Sequence, residues 1–220
     1  MSITVLPPEL RAWRLTDDGV RTALCEAPPG QFPLLEAAYA WHERRLRTGS
    51  PQSRYLPIIS ADAAGVAPRL VRLLSPLTWS FVAHAEMPRA AYGEREWVQV
   101  PATSYHRVAR ALNTVWRNRS NLLDSRNRAR DPFRTSVGNP GDPARSAAVA
   151  LWRMAILVGG SQHPDGGLAV RSRTPAGVHA LTQTARRLQV TTSPLSAQYP
   201  TTVLIRDREQ ASALLSEVAR

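Results

Sequence analysis

The chain has 220 residues, 43% of them hydrophobic, which is enough for one large or two small domains around a sizeable core. Its 28 basic residues, every one an arginine, outweigh 17 acidic ones, giving a net charge of +11 and a pI near 11.3. Nucleic-acid phosphate or an acidic surface is the partner this balance implies. The lone Cys25 excludes a disulfide framework and leads to the expectation of a reducing, cytoplasmic setting. MSITVLPPELRAWRL lacks a basic segment followed by an apolar one, and no run reaches the roughly 18 apolar residues of a membrane helix. Neither a signal peptide nor a membrane partner is expected.

Residues 1–31 read as a lead segment in which Pro7, Pro8, Pro28 and Pro29 bracket a short helix near 17–24. LLEAAYAWHERRLR (34–47) reads as a helix, since Leu35, Ala38, Trp41 or His42, and Arg45 recur at threes and fours, and Thr48-Gly49-Ser50-Pro51 stops it. A strand follows at 54–60, then a helix at 62–77 with Val66, Leu70, Leu73 and Leu77 on one face. Residues 79–85 are strand-like, and REWVQV (95–100) alternates as a half-buried strand should. A further helix is predicted over 104–116. From 118 to 143 the composition turns polar and arginine-rich and passes through GNPGDP, as a linker would.

The apolar run AAVALWRMAILVGGS (147–161) predicts a helix packed on several sides and closed by Gly159 and Gly160. LAVRSR (168–173) is a strand, and Thr174 caps a helix with Pro175 at its first position. A weak strand lies in 192–198 and a strong one at 201–206. Asp207 with Gln210 then begins a last helix over 209–219.

Four elements recur. Gly160-Ser161 repeats Gly49-Ser50 at an offset of 111, and Ala176-Gly177-Val178 repeats Ala64-Gly65-Val66 at 112. The strand-to-helix passage that begins TTVLIR mirrors 98–112 at 105. A duplicated α–β–α–β–β–α half is expected, with segments 32–117 and 144–220 forming two packed sheets related by a pseudo-two-fold.

LWRMAILVGGS (151–161), LAVRSRTPAGVHALTQTARRLQV (168–190) and TTVLIRDREQASALLSEVA (201–219) resemble the LAGLIDADG-type region of the bacterial sporulation regulator family WhiA. LRTGS (46–50) and RYLPIISADAAGVAPRLVRLL (54–74) resemble its first half more loosely. The resemblance covers about residues 33–220 and implies an α+β fold of duplicated LAGLIDADG homing-endonuclease-like halves, central helices packed together, each half presenting a sheet to DNA. The sequence stops at Arg220, where that family continues into a helix-turn-helix. An expectation follows that base-specific reading comes from elsewhere, such as a protein partner.

Nucleases of this architecture need an acidic residue at the foot of each central helix to hold divalent metal. The corresponding positions here are Thr48 and Gly159, which offer no carboxylate, so no metal or other cofactor is expected. Asp165 belongs to the turn HPDGG (163–167), and His42, His84, His106, His163 and His179 lack metal-ligand spacing. No acid–base pair or glycine-rich phosphate loop can be named, so no catalytic residue is proposed.

What remains is arginine placement. Period-2 alternation with Leu168, Val170, Val203 and Ile205 inward turns Arg171, Arg173 and Arg206 outward. Arg54 and Arg95 begin strands, Arg89 falls in a hairpin loop, and Arg126, Arg128 and Arg130 lie in the linker. These form a candidate cationic saddle for duplex DNA. The expectation is therefore a non-catalytic DNA-binding protein, either a transcriptional regulator or an accessory subunit. The alternatives are a module docking on an acidic protein, or an enzyme that recruited the old cleft for biosynthetic chemistry.

Overall fold

The computed structural model describes residues 18–43, 55–61, 66–74, 77, 96–120, 142–194 and 201–220. In chain order the elements are α1 (Asp18–Glu26), α2 (Pro33–Glu43), β1 (Tyr55–Ala61), α3 (Val66–Leu74), β2 (Glu96–Pro101) and α4 (Ala102–Arg117). They are followed by α5 (Pro143–Gly159), β3 (Gly160–Gln162), β4 (Leu168–Arg171), α6 (Pro175–Arg187), β5 (Ser193–Pro194), β6 (Thr202–Ile205) and α7 (Arg208–Val218). The expected strand at 79–85 and most of the arginine-rich linker lie outside the described residues.

Helices α2 and α5 form the centre and pack on one another. Both are apolar almost all round, as interior helices must be. Every residue from Pro33 to Trp41 is buried in α2, and so is the run from Ala150 to Leu157 in α5. Helix α5 begins four residues before the apolar run suggests. Asp142 accepts from the Ala144 N–H at 3.0 Å and Pro143 takes the first position, where a missing N–H is harmless. On the other side of α2, Trp41 Nε1 donates to Asn113 Oδ1 of α4 at 2.9 Å and Tyr39 meets Trp116 edge-on at 6.0 Å.

Strands β1 and β2 pair antiparallel, with the register shifting between Pro57 and Ile59, where proline has no N–H to give the ladder. The other four strands form an antiparallel sheet in the order β3-β4-β6-β5. Strand β3 is a departure from the sequence reading, which treats Gly160 and Ser161 only as a helix stop. The chain leaves α5 directly into a strand, and 163–167 closes the β3–β4 hairpin. There Pro164 and Asp165 occupy the turn, Gly166 takes a φ of +84°, and Gly166 N–H donates to the His163 carbonyl at 2.9 Å.

Two buried arginines tie the elements together. Arg69 of α3 grips Glu36 of α2 through Nε and through Nη2 at 3.0 Å, and its Nη1 donates to the carbonyls of Ala27 at 2.7 Å and Cys25 at 3.1 Å. Arg153 of α5 reaches the same carboxylate at 3.6 Å, donates to the Pro28 carbonyl at 3.3 Å, and donates through Nε to the carbonyl of Val218. One carboxylate thus faces two guanidiniums. The surplus positive charge lies against carbonyls at the C-terminal ends of α1 and α7, which carry the negative ends of the helix dipoles. Arg21 of α1 returns the tie, donating to the Leu157 carbonyl of α5 at 3.1 Å.

Candidate nucleic-acid interface

The four-stranded sheet has two unlike faces, fixed by the period-2 alternation of its strands. Leu168, Val170, Val203 and Ile205 belong to the main core. The opposite face carries Ala169 and Arg171 of β4, paired with Leu204 and Thr202 of β6, with Ser161 and Ser193 on the flanking strands. Arg171, Arg173 and Arg206 are all exposed, as the alternation predicts. Arg171 and Arg206 stand at opposite ends of the β4–β6 pair, about 13 Å apart along the strands at roughly 3.3 Å per residue.

The centre of that face is less open than alternation alone predicts. Leu204 is fully buried and Ala169 nearly so, yet neither belongs to the main core cluster. Thr202 is buried as well, so the middle of the outer face is closed to solvent and the exposed arginines stand only at its edges.

At the foot of α5, Gly159 has no room for a side chain. A Cβ there would overlap the carbonyl oxygen of Arg171 on β4. Thr48, the other position vacated by an acid, lies outside the described residues, as do Arg54, Arg89, Arg95, Arg126, Arg128 and Arg130. Among the described residues no three His, Cys, Asp or Glu side chains gather as a metal-ligand group.

An acidic group does stand near this corner, and the sequence reading misses it. Glu43, at the end of α2, is buried against the start of α6. Its Oε1 accepts from Ser172 Oγ at 2.6 Å and Thr174 Oγ1 at 3.3 Å, and its Oε2 accepts from the Arg173 backbone N–H. Thr174 in turn caps α6 by accepting from the Gly177 N–H at 3.0 Å. A Cβ at Gly177 would overlap Ser172 Oγ and crowd Glu43, which gives the Ala-Gly-Val triplet a packing reason. Ser172 and Thr174 hydroxyls and one amide already fill both oxygens, so Glu43 holds the β4–α6 junction and so fixes the backbone that bears Arg171 and Arg173. Beside it, burial first and the Glu43 charge second push the Tyr39 hydroxyl well above its ordinary pKa of 10.0.

No family model and no curated protein sequence matches the chain. Solved structures do. The N-terminal LAGLIDADG domain of DUF199/WhiA superposes with a TM-score of 0.52 at 11% identity, over 94% of this chain and 91% of that one. Full-length DUF199/WhiA from Thermatoga maritima gives 0.51 at 11% identity, over 94% of this chain, which spans 62% of the full-length protein. Variants of the homing endonuclease I-DmoI align at 0.49 and 10% identity, over 91% and 97% of the two chains. The chain has the LAGLIDADG-type α+β fold.

Proposed function

We propose that this protein binds duplex DNA along the outer face of its four-stranded sheet and does not cut it, acting in the cytoplasm as a transcriptional regulator or as an accessory subunit whose partner supplies base-specific reading. The observation that carries the proposal is the exposure of Arg171 at the end of β4, and of Arg173 and Arg206 just beyond β4 and β6, in a chain with net charge +11. Residue positions about 13 Å apart along a strand pair let two arginines reach separate phosphates of one duplex.

The non-cutting part rests on Gly159, where a metal-holding carboxylate would need the β4 backbone to move. The order α2–β1–α3–β2–α4 is followed by α5–β3–β4–α6–β5–β6–α7, and apart from the short β3 and β5 the shared succession supports reading the chain as two duplicated halves related by a pseudo-two-fold, with Arg54, Arg89 and Arg95 as the first half's contribution to a saddle. In that reading Arg126, Arg128 and Arg130 track phosphates from the linker.

An electrophoretic shift with random duplex DNA across a salt series tests the proposal. Affinity should fall roughly tenfold or more between about 50 and 200 mM salt, and replacing Arg171, Arg173 and Arg206 together with Ala should flatten the log–log slope by about 0.9 for each phosphate no longer neutralised. Retention of duplex DNA by that variant at unchanged affinity and slope would refute the sheet-face assignment. Stable co-purification with an acidic protein, surviving nuclease treatment, would favour the docking-module reading instead.

A further inference from the structure

A second basic surface lies on α4, away from the four-stranded sheet. Helix α4 buries Val108, Leu112, Val115 and Trp116 and packs on α2, β1 and β2. At about 100° per residue, Arg107, Arg110 and Arg117 fall within roughly 80° of one another on the opposite side. All three are exposed, and the stripe they share with Thr103, Thr114 and Asn118 has no apolar side chain in it.

Three observations separate this stripe from an ordinary solvated helix face. No acidic residue occurs between Glu96 and Asp124, so none of these arginines has an oppositely charged neighbour three or four places away on its helix. Arg107 lies in the first half of α4, nearer the positive end of the helix dipole, so the dipole does not account for it. The neighbouring Arg119, by contrast, is used internally. Its guanidinium sits 4.3 Å over the Trp116 ring, its Nη1 donates to the Trp116 carbonyl at 2.8 Å, and burial lowers its pKa.

The stripe's chemistry also separates possible partners. A protein partner would be expected to find an aromatic or aliphatic anchor at the centre of the patch, and this one has arginine, threonine and asparagine only. That is the composition of a phosphate-and-sugar contact. Arg107 and Arg117 are about 15 Å apart along the helix, close to the width of a major groove with its bordering phosphates.

We infer that α4 is a second surface for the phosphate backbone, so that one molecule holds two duplex segments at once. The inference rests on the sheet face being the first such surface. The test is capture of a fluorescent duplex by a second, bead-bound duplex in the presence of the full chain, run beside the single-duplex shift. The variant Arg107→Ala/Arg110→Ala/Arg117→Ala should still shift one duplex with affinity within about threefold of the parent, while capture of the second falls tenfold or more. A charge-matched control, Arg186→Ala/Arg187→Ala/Arg220→Ala, should leave capture unchanged.

Undiminished capture by the α4 variant would overturn the inference and leave the sheet-face reading standing, as would a parent protein that shifts one duplex and never captures a second. An equal fall in capture for the control variant would show a general charge effect and overturn it as well. Binding of polyglutamate through α4 without duplex capture would assign the stripe to an acidic protein instead. A parent protein that shifts no duplex at all would remove both readings together.

Discussion

Glu36 of α2 and Arg153 of α5 face each other across the central helices at 3.6 Å, and both side chains are buried. Arg69 shares the same carboxylate, so a single negative charge sits between two guanidiniums inside the protein. Burial lowers the Arg153 pKa, and the Glu36 charge works against that shift. The carboxylate is the element that makes two interior arginines tolerable.

Replacing Glu36 with Gln keeps the shape and removes that charge, leaving Arg69 and Arg153 uncompensated. A loss of about 3–5 kcal/mol is expected, which for a chain of this size is a Tm drop on the order of 10 °C. Thermal unfolding followed by circular dichroism measures it, and a drop under about 2 °C would mean the carbonyls alone suffice. Adding Arg153→Met to Glu36→Gln should recover part of the loss, since one uncompensated charge is then gone.

Gly159→Asp restores the carboxylate that a metal-dependent nuclease would place at the foot of this helix. Its Cβ meets the Arg171 carbonyl, so the variant should lose at least about 1–3 kcal/mol through overpacking and displace β4. No cleavage of supercoiled plasmid in magnesium should appear. Nicking by a variant of unaltered stability would show that the corner can open to admit an acid.

Alkaline pH should expose the state of Tyr39. Its hydroxyl pKa is raised in the folded protein above the ordinary value of 10.0, burial being the larger cause. The folded state therefore keeps a proton that the unfolded chain releases, so this stabilising contribution is complete below pH 10 and declines as pH rises beyond it. The slope is about 1.4 kcal/mol per pH unit at most. Urea unfolding at pH 9 and pH 11 should show a larger loss for the parent than for Tyr39→Phe, and equal losses would place the hydroxyl's ionisation elsewhere.

Elements with a strong local signal were legible in the sequence. Thr174-Pro175 and Asp207 with Gln210 mark their helices because the capping bonds are local: Asp207 accepts from Glu209 and Gln210 N–H groups at 2.8 and 3.3 Å. The alternation that turned Arg171 and Arg206 outward is equally local. Strand β3 was not legible, since Gly-Ser-Gln has no alternation and becomes a strand only by pairing with β4.

Nor could the buried ions be read from spacing. Arginine and glutamate are solvent residues by default, and Arg153 stood out only as an interruption in an apolar run. Glu36, Glu43 and Arg69 carry no local signal, because their partners lie 33 to 131 positions away. The stripe on α4 had a sequence signal in the acid-free stretch from 97 to 123, but only the burial of Val108, Leu112 and Val115 tells which arginines share a side.

The carbonyls of Cys25, Ala27 and Pro28 give the first described helix an importance that its proline-flanked sequence conceals. A fragment starting at Phe32 would retain every described strand and both central helices. It would nonetheless leave two interior guanidiniums pointing at the hole those three oxygens had filled, and water would have to enter to solvate them. The turn that looks easiest to trim is the stopper that keeps the middle of the protein dry.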